Sequence, residues 1–312
     1  MLRNGGWKTA VQGRFAGGWT ERLTGWLLLV FVILLPLLWM IAYALACSLG
    51  RFGLEDDTWT TKYWRLALST SRIWRSLLLS STLAACATFF AWQTALWLVS
   101  RCSGLRFDRR LQALWCLPLA IPPAVQAFLA NLLLNRGGLL SRLCRRSGLT
   151  HDVTDFPVLV QDRLSLGLLL TMTAASTPLL LLLLIRIWNA ARIEVYLLAA
   201  RSLGAAPAFA MRHVAVPMLR RRARPLLLLL FLWNFSAWEL PLLLGRQSPR
   251  MFSVLIQQNA GQFVLDERPQ AFVYVVLYLI LATTAIWWLS AGAGAGPGAG
   301  NIRGLSRESR DG

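Results

Sequence analysis

Apolar residues fall into six long blocks, over about 25–48, 73–99, 113–134, 164–188, 225–245 and 271–290, separated by arginine-rich connections. Each block approaches or exceeds the ~20 residues that carry an α-helix across a bilayer core. The first, at ~1.5 Å per residue, would cover roughly 36 Å. It is longer than the ~7–15-residue apolar region of a signal peptide and has no clean cleavage site, so an uncleaved first span is expected. The pattern predicts an all-α membrane protein with a six-helix transmembrane domain over 25–290, preceded by segment 1–24. The tail, 291–312, is a Gly-Ala-Pro run with a polar end, which cannot bury a core and is expected to be disordered. In the second block Ser80, Ser81, Thr82, Ala84 and Ala85 suit close helix packing. Pro118, Pro122 and Pro123 interrupt the third, and Pro178 falls in the fourth.

Composition agrees with this class. The 312 residues are 56% hydrophobic and only 15% charged, against about 25% in soluble domains. Loop charge sets the orientation. With both termini inside, the inner segments hold 19 of the 32 Lys and Arg residues and the outer loops 13. That bias favours an N-in, C-in chain. The net charge of +18 does not point to nucleic acid, because the arginines are spread through nearly all the connections. Trp26, Trp39, Trp59, Trp64 and Trp74 are expected as interfacial anchors against lipid. The five cysteines show no metal-ligand spacing, although Cys47 and Cys144 would face the same side and could be bridged. His151 and His213 stand far apart, so neither a catalytic pair nor a metal site is expected.

The longest polar interruption of the C-terminal half, 186–224, has structure of its own. Glu194 to Leu203 is rich in helix formers, and Gly204 stands where a left-handed residue would stop a helix. Pro207 can open a second helix, along which Phe209, His213 and Val216 recur at helical spacing, and Pro217 marks the return to the membrane. A helix, a tight turn and a second helix would leave Ala199, Ala200 and Leu203 exposed unless a partner covers them.

This segment resembles the cytoplasmic loop of permease subunits of binding-protein-dependent ABC importers. The family pattern is Glu-Ala-Ala, three residues, Gly, nine residues, Ile, one residue, Leu-Pro. Ala199, Ala200, Gly204, Val214, Val216 and Pro217 fall on that spacing, while Leu198 replaces the Glu. The likeness extends over about 20–290. It includes Arg75-Ser76-Leu77 at the start of the second block and the run Leu117 to Pro123. Arg136-Gly137-Gly138-Leu139 and Met251 to Ile256 complete it. The features are most similar to the subgroup importing thiamine, ferric iron, polyamines or sulfate. The resemblance implies that Leu198, Ala199, Ala200, Arg201, Gly204 and Pro217 form a coupling element between the fourth and fifth spans, docked on a separate ABC ATPase subunit. It also implies a second permease subunit, identical or paralogous, and an extracytoplasmic substrate-binding protein.

A missing motif is consistent with a separate ATPase. A phosphate-cradling loop needs Gly before its Lys, but Lys8 and Lys62 follow Trp7 and Thr61. No cofactor is therefore expected on this chain, ATP being bound by the partner. Glu239 is the one acid placed deep in a block, and such acids often line a pathway. It would favour a cationic solute there, with Asn234 and Ser236 nearby, or else pair with a neighbouring helix or reach the interface. Pro118, Pro122 and Pro123 would free backbone carbonyls and bend the third block, as either a flexible gate or static packing. Other classes remain open: an ion-coupled secondary transporter would need several intramembrane charges. A polytopic enzyme acting on lipid-linked substrate would need clustered acids, and Glu55, Asp56 and Asp57 are the only dense group.

Overall fold

The computed structural model describes residues 19–51, 59–102, 114–115, 117–150, 152, 155–261 and 268–293. The acid group at 55–57 and the tail from 294 onward lie outside them, as do most of segment 1–24 and the start of the third block. No strand occurs among the described residues. Four helices are long and apolar enough to cross a membrane, over Thr24–Ser48, Ser71–Arg101, Leu166–Ala190 and Pro269–Trp287. They match the first, second, fourth and sixth blocks to within a few residues.

The first of these is built from α1 (Trp19–Leu29), a π-helical turn (Val30–Leu34) and α2 (Leu35–Ser48). The π turn ends just before Pro36. A proline ring collides with the carbonyl four residues earlier, and widening the preceding turn relieves that collision without breaking the helix. After the short α3 (Lys62–Ser69) comes α4 (Ser71–Cys102), which packs most extensively on α7 (Leu166–Ala190). Ser76, Ser80, Ala84, Ala87, Ala91 and Ala95 form its fully buried seam. Small residues at this spacing let two backbones approach closely. Of the residues expected there, Ser80 and Ala84 are in the seam, whereas Thr82 and Ala85 point outward.

The third and fifth blocks are not the continuous helices that the hydropathy pattern predicts. Leu117–Ala120 is a 3₁₀ turn, and α5 runs only over Pro123–Leu134. Pro123 forces its predecessor out of the helical region, and Pro122 accordingly has ψ 144. A short α6 (Leu139–Arg146) follows. In the fifth block, α10 (Val216–Ser236) starts nine residues before the apolar run and ends within it; α11 (Glu239–Leu244) follows. Pro241 explains the break. Its ring would meet the carbonyl of Ala237 if the helix continued, so the chain extends at Ala237 (ψ 130) and restarts with Pro241 in the first turn, where its missing N–H is harmless. Glu239 is thus at the start of a short helix after a break, and not in the middle of a long one. α10 itself would span roughly 31 Å, but its first half carries Arg220, Arg221, Arg222 and Arg224.

The chain is completed by α8 (Ile193–Ser202), α9 (Pro207–Ala210), α12 (Phe252–Ala260) and α13 (Arg268–Ala293). Phe235, Phe252, Tyr274 and Tyr278 join α10, α12 and α13 through ring contacts, with Phe235 stacked on Tyr278 at 5.6 Å. Cys47 and Cys144 are both free thiols, so the bridge conceived from the sequence is not formed.

Candidate functional sites

Two places combine defined geometry with available chemistry: the hairpin of α8 and α9, and a cavity beside the break in the fifth block.

The hairpin has an anchored face and an open one. Ile193, Leu197, Ala210 and Ala215 are buried in one apolar cluster with Leu184 and Trp188 of α7 and Leu219 and Ala223 of α10. The turn is a Schellman closure. The Gly204 N–H donates to the Arg201 carbonyl at 2.9 Å, and the Ala205 N–H to the Ala200 carbonyl at 3.0 Å. Gly204 has φ +84, which an L side chain adopts only with strain. Pro207 opens α9, and Ala206 before it is extended with ψ 144. A second π-helical turn, Met211–Ala215, leads into Pro217 in the first turn of α10, the same device as at Pro36. Phe209 and His213 stack at 4.1 Å, and His213 Nδ1 lies 3.1 Å from the Phe209 carbonyl.

The open face carries the residues singled out by sequence. Leu198, Ala199, Arg201, Gly204 and Pro217 are exposed, and Ala200 is half-buried against the cluster. Leu203 is 88% exposed and Leu198 63% exposed, with Tyr196 and Phe209 also open. Sequence reading had not singled out Tyr196 as an exposed apolar group.

The cavity has a volume of about 490 Å³. Pro122, Pro123, Asn234, Ser236 and Glu239, all named from sequence, line it together. Residues that hydropathy alone passes over complete the wall: Gln126, Ser176, Trp233 and Trp238. Gln126 stabilises the proline segment, its Nε2 donating to the carbonyls of Pro118 and Ile121 at 2.9 Å each. The Pro118 carbonyl also accepts a long 3₁₀ hydrogen bond of 3.4 Å from the Ile121 N–H, because Pro122, four residues on, has no N–H to offer. Asn234 is buried and ties three helices. It accepts from Ser176 Oγ of α7 at 3.0 Å and donates to Thr88 Oγ1 of α4 at 3.3 Å. Ser236 Oγ turns back to the Trp233 carbonyl at 3.1 Å.

Glu239 is the single charged residue among the described lining residues. Its Oε2 is buried and has no hydrogen-bond partner among them. A carboxylate so placed, with no basic residue among the described lining residues, favours a cation over an anion. Among the described residues, no group of His, Cys, Asp and Glu could hold a metal ion.

Neither a protein-family model nor a curated protein matches the sequence. Among solved structures, the chain is similar to one from the crystal structure of a bacterial ABC transporter involved in the import of the acidic polysaccharide alginate. The TM-score is 0.61 at 14% identity, covering 90% of this chain and 99% of that chain. The likeness therefore spans nearly the whole of both molecules, and this chain has the fold of a chain from a bacterial ABC transporter.

Proposed function

We propose that this chain is a permease subunit of a binding-protein-dependent ABC importer in the bacterial inner membrane. In this reading it passes the membrane six times with both termini inside. It forms half of a translocation pathway and couples to a separate ATPase through 194–217. A second permease subunit completes the pathway, and an extracytoplasmic binding protein delivers the solute to the outer loops.

The observation that carries the proposal is the two-faced hairpin. Its inner face is packed into the same cluster as the spanning helices, so a push on its outer face moves those helices as a body. Its outer face leaves Leu198, Leu203 and Phe209 open to a partner. Large apolar side chains left open on one short hairpin suit a protein contact. The fold likeness to an ABC transporter chain supports the same partner.

The cavity supports a small cationic solute, in the range of thiamine, ferric iron or a polyamine. An acidic polysaccharide, as imported by the structural neighbour, would meet the Glu239 carboxylate with no Arg or Lys among the described lining residues to offset it.

The test is co-purification of an ABC ATPase subunit from the host with this chain, followed by ATP-driven uptake in proteoliposomes. Leu203→Asp should lower ATPase retention at least tenfold while leaving the permease folded. Uptake driven by an ion gradient with no ATPase present would overturn the proposal, as would substrate turnover by the chain alone.

A further inference from the structure

A second concave region lies on a different flank, where α4, which contributes nothing to the cavity above, faces the hairpin and α10. Two depressions of about 730 and 470 Å³ share Gln93, Leu96 and Val216 and so form one groove. Its two ends differ in chemistry. Near the hairpin stand Arg101, Arg201 and Arg212, with Arg101 held over the Trp97 ring at 5.8 Å. Toward the other end the walls are mostly apolar, with Phe89, Trp92, Leu227 and Phe231, and with Thr88 and Arg220 beside them. No carboxylate is among the described residues lining either depression.

Three guanidinium groups lining one depression, with no carboxylate among its described lining residues, favour an anion there. Arginine presents a planar fork of donors that matches phosphate oxygens. The apolar half has its own requirement. Arg101 and Phe89 are separated by about 18 Å of helix, close to the depth of one leaflet of a roughly 30 Å core. A soluble anion would leave that trough unfilled. A neutral lipid would leave the arginines uncompensated. We propose that the groove is a binding site for an anionic phospholipid, its phosphate held by Arg101, Arg201 and Arg212 and one acyl chain laid between α4 and α10 against Trp92 and Leu227. The lipid then ties the hairpin, through Arg201 and Arg212, to the end of α4. The site rests on charge and shape at the membrane surface and stands whether or not the hairpin docks on an ATPase.

The full-length chain, incorporated into nanodiscs of equal parts phosphatidylglycerol and phosphatidylcholine and then released into mild detergent, is examined by native mass spectrometry. Phosphatidylglycerol should be retained roughly tenfold over phosphatidylcholine, and Arg101→Gln with Arg212→Gln should erase that preference, in line with the attraction of single basic residues for anionic lipid. Leu227→Trp fills the trough while keeping every arginine, and should lower phosphatidylglycerol retention as well. Circular dichroism confirms that each variant is folded. Equal retention of the two lipids, or retention unchanged in the variants, would overturn the proposal. Displacement of the lipid by millimolar inorganic phosphate would also overturn it, by showing a free-anion site.

Discussion

Ser253 Oγ donates a hydrogen bond of 2.6 Å to the carbonyl of Ala237, the residue four positions before Pro241. That carbonyl is the one the proline ring denies an intrahelical partner. The break in the fifth block is thus stabilised from α12, and the opening it creates places Glu239 on the cavity wall. Ser253→Ala leaves the carbonyl without its partner and is expected to cost about 1–3 kcal/mol, read as a lower unfolding temperature in detergent. Pro241→Ala removes the collision and lets the helix close. Its expected signature is an unchanged or higher unfolding temperature together with lost accessibility of a cysteine probe at position 239.

Asn234 separates bracing from solute contact. Both ends of its amide are occupied by Ser176 and Thr88 on two other helices. Asn234→Leu should lower stability by roughly 0.6–1.7 kcal/mol, the range for hydrogen bonds between membrane helices. Because the amide is already satisfied, the apparent KM of the remaining folded protein should change less than twofold. A larger KM change without loss of stability would assign Asn234 to the pathway.

Much of this was legible in the chain itself. The hairpin could be read residue by residue because its signals are local: Gly204 needs a positive φ, and Pro207 fits only a first turn. The four long apolar helices were likewise visible from hydropathy. The interrupted third and fifth blocks were harder to read. Hydropathy sums over a block and does not register that Pro241 acts on Ala237, or that Pro123 acts on Pro122. Gln126 was missed for a related reason. Its value depends on the carbonyls of Pro118 and Ile121, which come within reach of one amide only once the proline segment has folded. The coming together of Pro122, Asn234 and Glu239 is a tertiary fact, although each had been singled out alone.

Gly204 offers a graded test of the turn. A Cβ added there meets nothing within 4 Å, so its cost comes from the backbone alone in the isolated chain. Asn tolerates a left-handed conformation better than other residues, and a β-branched residue tolerates it least. ATPase co-purification should therefore fall in the order Gly204, Gly204→Asn, Gly204→Ala, Gly204→Val. The Ala variant carries roughly 1 kcal/mol of strain. An equal loss in all three variants would place the partner's surface, not the turn, in contact with this position.

Leu198 stands where the resembling family carries Glu, and this alters how the contact with an ATPase should respond to salt. Charge pairs at an exposed rim weaken as the screening length falls from about 10 Å at 0.1 M salt to about 3 Å at 1 M. Apolar contacts through Leu198 and Leu203 do not weaken in that way, and salts excluded from protein surfaces strengthen them. ATPase retention should accordingly survive washing at about 1 M salt. Leu198→Glu restores the family residue beside Arg201 and should make retention salt-sensitive without abolishing it. Leu198→Ala trims the apolar surface instead and should weaken retention equally at low and high salt. If the unmodified chain releases its ATPase at high salt, the contact is ionic, and Arg201, exposed on the same hairpin, becomes its principal anchor.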